Sequence, residues 1–254
     1  MLTESLKNNL PIALRLRLRN IYYCVVSVGH TGNLDRLGRI YNTDKAGSHH
    51  YTPHYMTHLR RFRWKKIRLF EIGVGGYDNP ERGGNSLRMW KRYFPFGKIT
   101  SIDIYDKSML QQRRIRIYRG SQTDEALLDR IDREAGPFDV IVDDGSHINS
   151  HVIETFRIMF PKLKDGGVYV VEDTQTSYWS DYSGDSSDLN NPSTMMSFFK
   201  SLVGSLNNKE FVIPGYEQNY YDKKIVAMHF YHNMVFVCKG NNDEESNKVK
   251  NNSL

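Results

Sequence analysis

Apolar positions along the chain fall into short runs bounded by turn-forming residues, and stretches with helical spacing separate them. Residues 67–72 (IRLFEI), 99–103 (ITSID), 115–118 (IRIY), 138–143 (FDVIVD) and 167–171 (GVYVV) read as five strands. Residues 225–231 and 234–238 read as two more. Only His232 and Asn233 separate this last pair, which therefore predicts a hairpin. Helices are predicted between the early strands, at residues 86–93, 124–134 and 150–163. The second carries Leu127, Leu128 and Ile131 on one face, and the third carries Val152, Ile153, Phe156, Met159 and Phe160 at helical spacing. Strands alternating with helices predict an α/β fold, a mostly parallel seven-stranded sheet covered on both faces, closed by the terminal antiparallel hairpin.

The ends of the chain depart from this pattern. Near the N-terminus apolar residues alternate with Arg15, Arg17 and Arg19, which reads as a helical arm that docks on the body or on a second subunit. Its apolar residues predict a homo-oligomer. The run IYYCVVSV is too short to span a bilayer and lacks a signal-peptide cleavage pattern, so no membrane span is expected. Residues 240–254 are rich in Asn, Glu and Lys and are expected to be a disordered tail. The expected organisation is an arm and flanking segment over 1–60, the main domain over 61–239, and the tail. Hydrophobic residues make up 39% of the chain, enough to bury a core. The net charge of +6 admits acidic partners, but a merely soluble basic surface is the favoured reading, and nucleic-acid binding is not expected. Cys24 and Cys238 share no metal or disulfide spacing, which fits a reducing, cytoplasmic setting.

Ligands of open α/β sheets bind at the carboxyl ends of the strands. Those ends hold Glu71, Asp103, Asp143, Asp144, Glu172 and Asp173, a concentration of acid in a basic protein. The first strand runs into Glu71-Ile72-Gly73-Val74-Gly75-Gly76-Tyr77. A pyrophosphate cradle would want a third glycine opening a helix, whereas here Asp78 follows and the loop continues to Gly84. That disfavours a nicotinamide-dependent oxidoreductase. S-adenosylmethionine has no phosphate and carries a sulfonium and an ammonium, which Glu71 suits better. Asp103 at the end of the second strand can accept both ribose hydroxyls, with a helix cap as the alternative. Ser121 and Gln122 stand where an adenine edge would be read, or form a simple turn.

Asp144, Glu172 and Asp173 come from neighbouring strand ends and converge. Several carboxylates stay ionised together only beside a cation or with raised pKa values. Oxygen donors suit a hard divalent cation such as Mg²⁺. His147, three residues past Asp144, lies within reach of anything bound there and can take a hydroxyl proton. His49, His50, His54 and His58 cluster without a cysteine, which argues against zinc.

The segments LFEIGVGGYDNPERGGNSLRMWKRYFP, SIDIYDKS, RGSQTD, FDVIVDDGSH and VYVVEDTQTSYW resemble the metal-dependent sugar O-methyltransferases, a family with members acting on macrolide deoxysugars and mycobacterial polysaccharides. The resemblance runs from YNTDKAGSHHYTPHY to Trp179. It implies a Rossmann-like class I methyltransferase fold, for which a terminal antiparallel hairpin is the usual arrangement. It implies that the loop from Glu71 to Tyr77, Ser86, Asp103, Ser121 and Gln122 hold S-adenosyl-L-methionine. Thr43, beside Asp44, would border the cofactor, and Asp144 would also stand near it. Asp144, Glu172 and Asp173 would ligate Mg²⁺, with His147 as general base. The implied reaction is methyl transfer to a sugar hydroxyl of a glycan or glycosylated natural product. The alternative is a catechol-type enzyme using the same metal carboxylates on a phenol. Residues 180–191, rich in Ser, Asp and Gly, could form a mobile lid.

Overall fold

The computed structural model describes residues 10–250. The early strands are buried almost throughout, as in a parallel sheet covered on both faces. They are β1 (Arg68–Ile72), β2 (Lys98–Asp103), β3 (Ile115–Arg119), β4 (Phe138–Asp143) and β5 (Leu163–Glu172), followed by β6 (Ile225–Tyr231) and β7 (Met234–Lys239). The seven-stranded sheet has the order β3-β2-β1-β4-β5-β7-β6. β1, β2 and β3 pair in parallel, as do β4 and β5, while β7 runs antiparallel to both β5 and β6. The predicted seven strands and terminal hairpin are therefore present.

Among the described residues, contacts divide the chain into two compact units after Gln122. The first unit begins with α1 (Ile12–Val26), α2 (Leu34–Tyr41) and α3 (Thr52–Leu59). α1 is the predicted arm, and it lies against its own unit. Arg15 pairs with Glu81 at 2.9 Å, Arg19 donates to the Glu81 carbonyl at 3.1 Å, and the rings of Tyr23 and Tyr41 meet at 5.0 Å. The opposite face of α1 leaves Leu14, Leu18, Ile21 and Val25 exposed. α2 and α3 were not foreseen. Asn33 caps α2 by accepting from the Arg36 amide, and Pro53 sits in the first turn of α3. α4 (Asn85–Tyr93) buries Leu87, Met89, Trp90 and Tyr93, and Trp90 stands edge-on to Tyr55 of α3 at 4.9 Å.

In the second unit, α5 (Glu125–Ala135) is capped by Asp124, which accepts from the Leu127 amide at 3.0 Å. α6 (Asn149–Met159) stops earlier than the periodicity suggested. Its apolar pattern runs on through Phe160 to Leu163, but Leu163 already pairs with Phe138 as the first residue of β5. The buried Lys239 ammonium donates to the carbonyls of Phe160, Pro161 and Leu163 and seals this corner. α7 (Met195–Leu202) and α8 (Tyr220–Lys224) complete the helices. Residues 240–250 add no further helix or strand, and Asn242 donates to the carbonyls of Ser205 and Asp222. No helix among the described residues is long and apolar enough to cross a membrane.

Candidate active site

The glycine turn after β1 is shaped by backbone. Gly73 donates to the Ile102 carbonyl, and Gly84 donates to the Val74 carbonyl at 2.7 Å. Gly83 packs so closely that an added Cβ would lie 2.1 Å from the Gly75 carbonyl oxygen. Gly75 is the opposite case. Its φ is +74°, and an added Cβ would meet nothing within 4 Å. The turn is thus locked on one side and open on the other, the form of a cradle for a ligand approaching the backbone. Ile72 and Val74 are buried, whereas Tyr77, at φ +47°, is exposed.

Asp103 faces this turn from the end of β2. One carboxylate oxygen accepts from the Val74 amide and the other from the Tyr105 amide, both at 2.9 Å. A carboxylate has about four acceptor positions, so each oxygen can accept a further hydrogen bond. Glu71 is fully buried. Ser86 at the start of α4 donates to it at 3.1 Å, and the Lys45 ammonium lies 3.3 Å from its other oxygen. Lys45 is itself fully buried. Thr43, two residues earlier, is buried too; its amide donates to the Gly38 carbonyl and its hydroxyl to Asp44. Ser121 and Gln122 follow β3, with Gln122 buried. Lys45 is the residue that sequence reasoning missed, because a lysine in a polar loop ordinarily reads as solvated.

In the second unit the acids behave differently. Asp144 follows β4, and Asp173 follows β5. His147 stands between them: its Nε2 is 3.6 Å from an Asp173 carboxylate oxygen and 3.9 Å from one of Asp144. One ligand atom from each of the three lies within 4.8 Å of the others, the one such group among the described residues. Glu172, the remaining acid of the predicted set, is buried at the end of β5 and is not in this group. The two carboxylates supply oxygen donors that fit a hard divalent cation, with the imidazole beside them. His147 and Asp173 both have positive φ, at 57° and 54°. Such backbone persists only where surroundings hold it. Here Thr176 does so, its hydroxyl donating to the carbonyls of both His147 and Asp173. Asn149, fully buried, donates to the carbonyls of Thr176 and Tyr182 and accepts from the Met195 amide. Asp143 is buried beneath the cluster and accepts from the Tyr169 hydroxyl at 3.4 Å. Burial, then the Asp143 charge, push the Tyr169 phenol well above its ordinary range. In residues 180–191, Asp185 accepts from the Ser187 and Asp188 amides and from the Asn191 side chain. These bonds hold its carboxyl well below the usual carboxylate range.

The sheet order and its antiparallel ending define the class I methyltransferase fold, and comparison with solved structures agrees. The MycE methyltransferase of the mycinamycin pathway, solved with Mg and SAH, matches with a TM-score of 0.81 and 46% identity, over 84% of this chain and 56% of that one. Among curated proteins, the mycinamicin VI 2''-O-methyltransferase of Micromonospora griseorubida is 46% identical over 214 residues, 84% of this chain and 54% of that protein. The demethylmacrocin O-methyltransferase of Streptomyces fradiae is 44% identical over 84% of this chain and 54% of its own length. A rhamnosyl-tetracenomycin-C 3'-O-methyltransferase of Streptomyces olivaceus is 39% identical, with 84% and 55% covered. No family profile matches. The chain is a homologue of the sugar O-methyltransferases of macrolide and tetracenomycin pathways. It spans about half the length of the curated relatives it matches.

Proposed function

We propose that the protein transfers a methyl group from S-adenosyl-L-methionine to a hydroxyl of a sugar-containing acceptor, a glycan or glycosylated natural product, with Mg²⁺ as its metal. The observation that carries this reading is the group of Asp144, His147 and Asp173 in a chain with a methyltransferase fold. The relatives' names supply the acceptor class.

In this reading the turn from Glu71 to Tyr77, with Thr43, Ser86, Ser121 and Gln122, binds the methyl donor. Asp103 accepts from its ribose. Asp144, Glu172 and Asp173 hold the metal. Mg²⁺, when bound, supplies positive charge that lowers the pKa of the acceptor hydroxyl. His147 takes the hydroxyl proton at Nε2 and is the base rather than a ligand. The freed oxygen bonds to the methyl carbon as the sulfur–methyl bond breaks, and the sulfonium leaves as the neutral thioether. The exposed apolar face of α1 supports a homo-oligomer, and the absence of a disulfide framework supports a cytoplasmic setting.

The test uses labelled S-adenosylmethionine, a glycosylated macrolide with a free deoxysugar hydroxyl, and a catechol as competitor. Label should move to the sugar, stop on chelation with EDTA and resume on adding Mg²⁺. Full transfer after exhaustive chelation, or transfer to the catechol alone, would overturn the reading. Light scattering that shows a monomer across micromolar concentrations would remove the oligomer.

A further inference from the structure

Away from the acids, the first unit gathers positive charge in a cavity of about 310 Å³. Its wall includes Thr31, Arg63, Trp64, Lys91, Arg92 and Arg114, and no acidic residue. Each cation is held by neutral oxygens. Arg114 donates to the carbonyls of Phe94, Gly97 and Lys91 at 2.8–2.9 Å. Arg63 donates to the Thr31 hydroxyl at 3.3 Å, with its guanidinium over the Trp64 ring at 4.1 Å. Arg92 donates to the Cys24 carbonyl, and Lys91 to the Gln112 side-chain oxygen at 2.6 Å. Among the described residues none of the four forms an ion pair with a carboxylate. Trp64 and Phe96, both exposed, meet at 6.5 Å beside the cavity.

We propose that this cavity is a binding site for a multiply charged phosphate group, carried by a soluble phosphate ester or by an anionic lipid headgroup. Like charges concentrated against dipoles alone repel one another. Burial first, then the neighbouring Arg114 and Arg113 charges, push the Lys91 ammonium below its ordinary range, and burial with Arg113 does the same to the Arg114 guanidinium. A bound dianion reverses that repulsion. Guanidinium forks match phosphate oxygens, and a lysine adds a point charge. The carbonyl and hydroxyl partners hold these side chains in place before any ligand arrives, which reduces the ordering cost of binding. The exposed Trp64 and Phe96 give the rest of such a ligand, or a lipid surface, an apolar rim.

The test titrates the full chain with inorganic pyrophosphate and reads tryptophan fluorescence, with Trp64→Phe marking the local signal. Saturable binding is expected, and Lys91→Gln with Arg92→Gln should weaken it at least tenfold while leaving the melting temperature near that of the wild type. Arg63→Gln is the second variant if that pair fails to fold. Vesicles of phosphatidylcholine with phosphatidic acid separate the two sources. Co-sedimentation that pyrophosphate competes away assigns the phosphate to a lipid headgroup; pyrophosphate binding without co-sedimentation assigns it to a soluble ester. No saturable binding, unchanged binding in the variants, or binding to single-stranded RNA that pyrophosphate does not displace would each overturn the proposal.

Discussion

Glu71 and the pair Asp144 and Asp173 are acids at strand ends of one sheet, and the chain treats them in opposite ways. Beside Glu71 it sets a fully buried lysine at 3.3 Å, a counter-charge supplied by the chain itself. Between Asp144 and Asp173 it sets His147, which is a cation only when protonated. The first arrangement carries its counter-charge within the chain. The second offers donor atoms to an ion supplied from outside. An acid at a strand end is therefore not evidence of a ligand until its counter-charge is known. The counter-charge therefore distinguishes these carboxylates more sharply than position in the sequence does.

The largest effect is expected on the Glu71 side. Lys45→Met leaves a buried carboxylate without its cation, which costs about 3–5 kcal/mol. Urea denaturation should show a loss of that order, and Lys45→Met with Glu71→Gln should recover most of it. A loss below about 1 kcal/mol in the single variant would mean that the pair contributes little and that Glu71 is neutral in the folded chain.

The next effect is on the His147 side. His147→Asn keeps a residue type that tolerates the left-handed backbone at φ 57°, so it removes the imidazole with little added strain. Turnover should fall about a hundredfold, the usual size of general-base catalysis, while Mg²⁺ affinity changes little. If Mg²⁺ affinity falls instead and turnover recovers at saturating metal, His147 is a ligand.

A smaller effect is expected at Asp103, whose two oxygens already accept from the Val74 and Tyr105 amides. Asp103→Ala should weaken S-adenosylhomocysteine binding by roughly tenfold to a hundredfold, the loss of one charged hydrogen bond of about 1.5–3 kcal/mol, as read by isothermal titration. Unchanged affinity would remove the ribose from Asp103 and leave it as a brace for the glycine turn.

The strands were legible because period and turn chemistry agree there: the hairpin of residues 225–231 and 234–238 needed only His232 and Asn233 to be seen. α2 and α3 were not, since their short helices are interrupted by the polar loop that carries Lys45. The end of α6 was misplaced because Phe160 and Leu163 satisfy helical and strand spacing alike. At the site, Asp144, His147 and Asp173 were legible from adjacent strand ends, whereas the Lys45 partner of Glu71 was not, because pairing across 26 residues leaves no periodic trace. The basic cavity was equally hidden: Arg63, the Lys91–Arg92 pair and Arg114 come from three separate segments, and in the sequence they are part of a net charge of +6.

The smallest effect is expected at Asp173, and its sign is the informative part. Asp173 has φ 54°, a backbone that asparagine adopts as readily as aspartate. Asp173→Asn also keeps one oxygen able to accept from Gln175, which now donates at 3.2 Å. The substitution therefore alters charge and little else. Without metal, it removes one of two carboxylates flanking His147 and relieves their repulsion. Stability should rise by about 0.5 kcal/mol, the scale of a partly exposed charge pair. Adding Mg²⁺ should reverse the ranking, because a cation that binds only the folded wild type raises its melting temperature by mass action while the variant gains less. At Glu71 no such reversal is available, since its cation is already part of the chain. Equal stabilisation of wild type and Asp173→Asn by Mg²⁺ would place the ion elsewhere. A loss of stability in the metal-free variant would show that the two carboxylates are already balanced within the chain, as Glu71 is.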